Sequence, residues 1–182
     1  MAATGEPKKT DLGQVNGRVF VNVATGGFGT RVTAETDPRL KKLLGGAAYL
    51  FTGLNRFSEL ASCSGRIKSK DFSWEGDFLA LAVGNGRQAG GGVQLCPDAD
   101  LNDGLLDVTI IPYPKPEDVA DLLRQLIERG PDSLRGQLVM AKIHEMTLET
   151  DEPLQINLDG EPIHDTRLEF STFAKGMMFR RP

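Results

Sequence analysis

Residues 78–108 read FLALAVGNGRQAGGGVQLCPDADLNDGLLDV. The apolar run at 78–83 reads as a buried strand. Glycines at 84, 86, 90, 91 and 92 follow, where the backbone needs positive φ or close approach. Asp98, Asp100, Asn102 and Asp103 then crowd beside Gly104. Carboxylates at that density repel unless water, backbone donors or a cation gathers them. Two readings stand. One is a solvated acidic turn between strands. The other is a hard-cation site built from one or two carboxylates, backbone carbonyls and waters, which suits magnesium.

Two familiar loops are excluded. Counted from Asp98, a calcium-binding EF-hand would need glycine where Asp103 stands and a bidentate carboxylate at Thr109. A dinucleotide fingerprint would need a helix after its glycines to meet the pyrophosphate. Residues 93–97 (VQLCP) instead read as a short extended piece ending at proline. The glycines shape a turn.

Working outward, the chain of 182 residues fits one large domain or two small ones, enough to bury a real core. Lys and Arg number 21 against 25 Asp and Glu, a formal net charge of −4. That argues against broad nucleic-acid binding and against a polybasic membrane anchor. No apolar run approaches the ~18 residues of a spanning helix, and the polar N-terminus carries no signal-peptide pattern. Cys63 and Cys96 lack metal or redox spacing, so reduced thiols and a cytoplasmic location are expected.

Residues 1–10 (MAATGEPKKT) read as a flexible lead-in, and 11–182 as one domain. A strand is expected at 17–24, followed by the glycine-rich TGGFGT at 25–30, a weak phosphate-cradle signal. Residues 37–57 suggest a helical pair with a basic side at Arg39, Lys41, Lys42 and Arg56, either a lipid-facing surface or a solvated charged face. Strands are expected at 67–74 and 77–83, with Glu75-Gly76 as the turn, and again at 105–111. Residues 117–129 form the firmest helix, with Val119, Leu122, Leu123, Leu126 and Ile127 on a core-facing side. Further strands fall at 140–148, 154–158 and 167–173, with Asp159-Gly160 as a hairpin turn. His144 and His164 have no companions at ligand spacing, and Cys96 reads as structural. The sum is a mainly β, antiparallel sandwich with a few peripheral helices.

Three segments carry a more specific resemblance: VFVNVATGGFGTRVTAET (19–36), GNGRQAGGGVQLCPDADLNDGLLDV (84–108) and INLDGEP (156–162). In this order they resemble the C-terminal domain of the bacterial YegS-like lipid kinases, relatives of diacylglycerol kinases, over residues 11 to 173. The resemblance implies a β-sandwich lying across a cleft from an N-terminal α/β domain with a GGDGT nucleotide motif. No GGDGT occurs in this sequence, so a chain of this half is expected to be inactive alone.

The resemblance also implies two sites. Glu161 matches the proposed general base, taking the proton of a lipid hydroxyl as it attacks the γ-phosphate of ATP. Asp159 beside it would orient it or approach the catalytic magnesium. Asp100, Asp103 and Leu105 match a Mg2+ site, with Asp103 giving its side chain and Asp100 and Leu105 their carbonyls. Arg87 and Gln88 either face a lipid head group or, for Arg87, pair with the acidic loop. The implied partners are a membrane lipid such as phosphatidylglycerol or diacylglycerol and the nucleotide-binding domain of the same enzyme. No nucleic acid is expected. Contact with the inner membrane surface would be transient, and an uncovered apolar patch would invite a homodimer. The competing readings are a non-catalytic lipid- or metal-binding module and a domain like those of NAD or polyphosphate kinases.

Overall fold

The computed structural model describes residues 6–27, 62–89 and 94–180. Three features named above fall outside the described residues: the glycines at 90–92, the TGGFGT segment beyond Gly27, and the basic helical pair at 37–57. Among the described residues, nine strands make one antiparallel sheet. They are β1 (Pro7–Val15), β2 (Arg18–Phe20), β3 (Val23–Gly27), β4 (Cys63–Lys68), β5 (Ser73–Gly84), β6 (Leu106–Pro112), β7 (Val139–Ile143), β8 (Glu145–Leu158) and β9 (Glu161–Arg180). Their spatial order is β2-β1-β9-β8-β3-β5-β6-β7, with β4 also placed between β5 and β8.

β3 and β4 are two halves of one line. Val23 to Gly27 pair with Gly84 to Ala80 of β5, and Cys63 to Lys68 continue the same ladder from Phe78 to Ser73. On the other side β8 pairs with both, through Ile156–Leu158 and Thr147–Thr150. Residues 28–62 are therefore inserted in the middle of a sheet position. Gly27 stands at the exit with φ of 85°, and a Cβ there would lie 2.6 Å from the Leu79 carbonyl oxygen. Only glycine suits that corner.

The sheet buries one continuous apolar layer. Val15 and Phe20 from its β1–β2 end share a core with Leu148, Ile156 and Leu168 at its centre and Leu106, Ile110 and Ile143 at the β6–β7 end. The ends are also tied directly: the Asp11 N–H of β1 donates to Leu101 O in the β5–β6 loop at 2.8 Å. The sheet thus folds into the sandwich expected from the alternation. A second, smaller cluster of Val23, Ala82, Cys96 and Ala99 forms where that loop folds back over β5. Both faces of β5 are covered, which is why 78–83 is apolar without alternation.

Local details depart from the sequence reading. Residues 7–10, assigned to the lead-in, are strand, because β9 supplies Met177–Arg180 as their partners. The turn expected at Glu75-Gly76 lies instead at 69–72, closed by Ser69 N–H donating to Phe72 O at 2.8 Å. Gly76 sits within β5, opposite Gly65 of β4, where two glycines face each other. The helix, α1, runs Val119–Arg129 and is followed by a 3-10 turn at Pro131–Gln137. Ile127 is 69% exposed, so the apolar stripe of α1 is only partly used for packing.

Candidate functional site

The Asp159-Gly160 pair turns β8 into β9, with φ of 49° and 115° and Leu158 paired with Glu161 across it. Positive φ at both central residues is what a two-residue hairpin requires. The Gly160 N–H donates to Asn157 Oδ1 at 2.6 Å, which closes the turn. Asp159 then fastens the hairpin tip to the chain between β2 and β3. Its carboxylate accepts the N–H groups of Val21 at 2.6 Å, Asn22 at 3.2 Å and Val23 at 3.0 Å. Three backbone donors on one carboxylate make a brace, and neither oxygen is left without a bond.

The braced tip presents Glu161 to a cleft of about 450 Å³ lined by Arg18, Val19, Leu158, Asp159 and Glu161. Glu161 is exposed, and its carboxylate makes no hydrogen bond or ion pair among the described residues. A carboxylate on a rigid turn with free lone pairs can accept a proton from a hydroxyl held in the cleft. Arg18 was not singled out in the sequence. Its only signal is position: it follows the Asn16-Gly17 turn, which returns β2 alongside β1.

Asn22 joins this hairpin to the glycine-rich turn. Its N–H donates to Asp159, and its carbonyl accepts from the N–H groups of Asn85 at 2.9 Å and Gly86 at 2.8 Å. Its side-chain amide donates to Gln88 O. A Cβ on Gly86 would lie 2.1 Å from Asn22 Oδ1, so glycine there makes room for the junction. Asn85 is fully buried and donates to Asp11 O at 2.9 Å and Val21 O at 2.7 Å. The three segments that carried the resemblance meet at these two asparagines.

The acidic loop is held largely by its own chain. Asp100 Oδ1 accepts the Asn102 N–H, and Asp103 Oδ1 the Leu105 N–H, each at 3.0 Å. Buried Asp11 reaches in from β1, accepting the N–H groups of Gly104 at 2.9 Å and Lys175 at 2.7 Å. Lys142 of β7 places its ammonium against Asp98 O, Asp103 Oδ2 and Asp107 Oδ2 at 2.9–3.0 Å. Burial works to lower the Lys142 pKa, but the bonds to Asp107 and Asp103 outweigh it and hold the ammonium above its usual value. Asp107 is raised, chiefly by burial, with Lys142 opposing that only in part.

Among the described residues no three His, Cys, Asp or Glu side chains gather at metal-binding spacing. The loop offers exposed carboxylates at Asp100 and Asp103 together with backbone oxygens. That donor set fits a hard, partly hydrated cation. Lys142 already occupies one side of Asp103, so such an ion would share that carboxylate with an ammonium. Arg87 does turn to this loop, but its Nε donates to the Ala99 carbonyl at 2.8 Å. Cys96 is buried under the loop, with its thiol pushed up to about 12 by burial, and is chemically inert near neutral pH. His144 sits in the bend between β7 and β8, its carbonyl accepting the Thr172 N–H, and His164 lies on β9 paired with Gln155.

The family described as the YegS C-terminal NAD kinase beta sandwich-like domain matches residues 22–175. A Pseudomonas aeruginosa protein named "Probable lipid kinase YegS-like" is 53% identical over 172 residues, covering 94% of this chain and 56% of that protein. One of the same name from Alcanivorax borkumensis is 50% identical over 174 residues, covering 94% and 58%. A crystal structure of a candidate diacylglycerol kinase from Bacillus anthracis superposes with a TM-score of 0.72 over 97% of this chain and 58% of that one. At 20% identity this likeness establishes the fold. The chain spans a little over half the length of the curated relatives it matches.

Proposed function

This chain belongs to the YegS C-terminal family, and we propose that it forms the acceptor side of an ATP- and Mg2+-dependent lipid kinase. The observation that carries this reading is Glu161: an unpaired carboxylate on a braced hairpin at the mouth of a cleft. In the proposed reaction a lipid hydroxyl, of phosphatidylglycerol or a diacylglycerol-like acceptor, enters the cleft. Its oxygen attacks the γ-phosphorus of ATP and forms the new P–O bond while the bond to the β,γ-bridging oxygen breaks and ADP leaves. Glu161 accepts the hydroxyl proton and later returns it to solvent.

Val19 and Val21, 51% and 40% exposed, supply apolar surface near Glu161, which suits a lipid better than a fully hydrated substrate. No helix among the described residues is long and apolar enough to cross a membrane. In this reading the lipid is reached from the inner membrane surface. Asp103, with carbonyls of Asp100 and Leu105, would hold a Mg2+ whose chemistry is to order the β5–β6 loop and offset its negative charge. ATP would be bound mainly by a nucleotide domain carrying GGDGT, a motif this sequence lacks.

The test is a kinase assay with labelled ATP and mixed lipid vesicles. It compares the chain alone with the chain joined to a GGDGT domain from a relative. Lipid phosphorylation by the joined protein only is expected. Phosphorylation by the chain alone would refute the division of labour proposed here.

A further inference from the structure

Arg18 opens β2 directly after a tight turn at Asn16 and Gly17, whose φ values are 45° and 79°. Pairing of Arg18 with Val15 fixes that short strand against β1. Arg18 lines the same cleft as Glu161. Among the described residues other arginines are occupied, apart from Arg129 at the end of α1. Arg66, Arg124, Arg135 and Arg167 each pair with a carboxylate, and Arg87 with a carbonyl. The Arg18 guanidinium makes no hydrogen bond or ion pair among the described residues.

Its isolation is informative because two carboxylates line the same cleft. Asp159 is taken by the backbone of residues 21–23, and Glu161 stays apart from Arg18. A guanidinium carries donors in a flat fork matched to carboxylate or phosphate oxygens, and it stays charged at any working pH. At the wall of a concave site shared with a proton acceptor, such a fork can take a reactant's oxyanion.

We propose that Arg18 is a phosphate-binding residue of this cleft, gripping a phosphate oxygen of a bound reactant while Glu161 faces the hydroxyl. The inference rests on the acceptor-side reading given above and adds a residue to it. Two reactants carry such a phosphate: a glycerophospholipid, through its phosphodiester, and ATP, through its γ-phosphate. Exposed Val19 adjoins Arg18 in sequence and also lines the cleft. Apolar surface in the same cleft favours the phosphodiester, which carries glycerol carbons beside its charge.

The test observes the Arg18 Nε–H resonance by NMR in the isotope-labelled chain. It is titrated separately with glycerophosphoglycerol, ATP and glycerol. The expected result is a saturable shift with the phosphodiester and none with glycerol. Affinity in the variants, read from the backbone amide shifts of the cleft residues, should fall about tenfold or more in Arg18→Ala, the scale of a charge-assisted hydrogen-bond pair. Arg129→Ala, which removes an exposed charge at the end of α1, should change it less than about twofold. A shift with ATP alone would support Arg18 as a phosphate ligand and assign it to the nucleotide. No shift with either phosphate, or equal weakening by Arg129→Ala, would overturn the proposal. Binding here needs no turnover, so its failure is distinguishable from failure of the kinase reading.

Discussion

The Asn22 backbone N–H donates to both carboxylate oxygens of Asp159, at 3.2 Å each. Through this contact the hairpin that carries Glu161 is locked to the segment that also anchors Asn85 and Gly86. Asp159 is thereby a positioning residue. Its oxygens face backbone donors, which argues against the role near magnesium that the sequence allowed. Asp159→Asn keeps the size but turns an amide NH2 toward N–H donors. We expect a loss of stability of about 1 kcal/mol, reduced by solvent exposure of the site. Amide exchange in the hairpin should quicken, with Mg2+ affinity unchanged. Hydrogen exchange and calorimetry check both. Unchanged exchange would contradict the brace.

Cys96 gives a pH dependence. Burial pushes its thiol up to about 12, from 9.0 for an ordinary thiol. Below 9.0 both folded and unfolded chains keep the proton, and the thiol is neutral to stability. Between 9.0 and about 12 the unfolded chain ionises first, so stability falls as pH rises. Lys142, also raised by folding, adds to the alkaline loss as pH climbs through its value. Denaturant unfolding across this range should show a shallower alkaline slope in Cys96→Ala than in the parent chain. Equal slopes would count against a buried, neutral thiol.

Lys142 and Mg2+ should compete. The ammonium lies 3.0 Å from Asp103 Oδ2 and is partly exposed. Lys142→Met removes a positive charge from the proposed ion's neighbourhood while keeping an unbranched stem. Tighter Mg2+ binding, by several-fold on the scale of partly screened charges, is the expected calorimetric result. Asp103→Ala should abolish it. Weaker binding in Lys142→Met would show that the ammonium organises the loop for the ion.

The sequence disclosed more of the architecture than of the site's wiring. Apolar alternation at 154–158 and 167–173, the Asp159-Gly160 turn and the buried run at 78–83 were all readable, because each depends on local pattern. The continuity of β3 with β4 was not, since 35 intervening residues hide a pairing set only by β5 and β8. The same holds for Pro7–Thr10, which have little strand character until β9 is beside them. At the site, Glu161, Asp100, Asp103 and Leu105 were named through resemblance. Asn22, Asn85, Arg18 and Lys142 were not, because their roles arise from contacts between distant segments. An asparagine within VFVNVATGG carries no mark of being a junction.

The most direct measurement of the central claim is turnover of the chain joined to a nucleotide domain, with Glu161→Gln as the comparison. Glutamine preserves the shape of the cleft but cannot accept a proton. The expected result is a fall in kcat of about 10²–10⁴-fold, with acceptor binding and folding retained. A Glu161→Gln protein that phosphorylates lipid at the parent rate would contradict the assignment of Glu161 as the base.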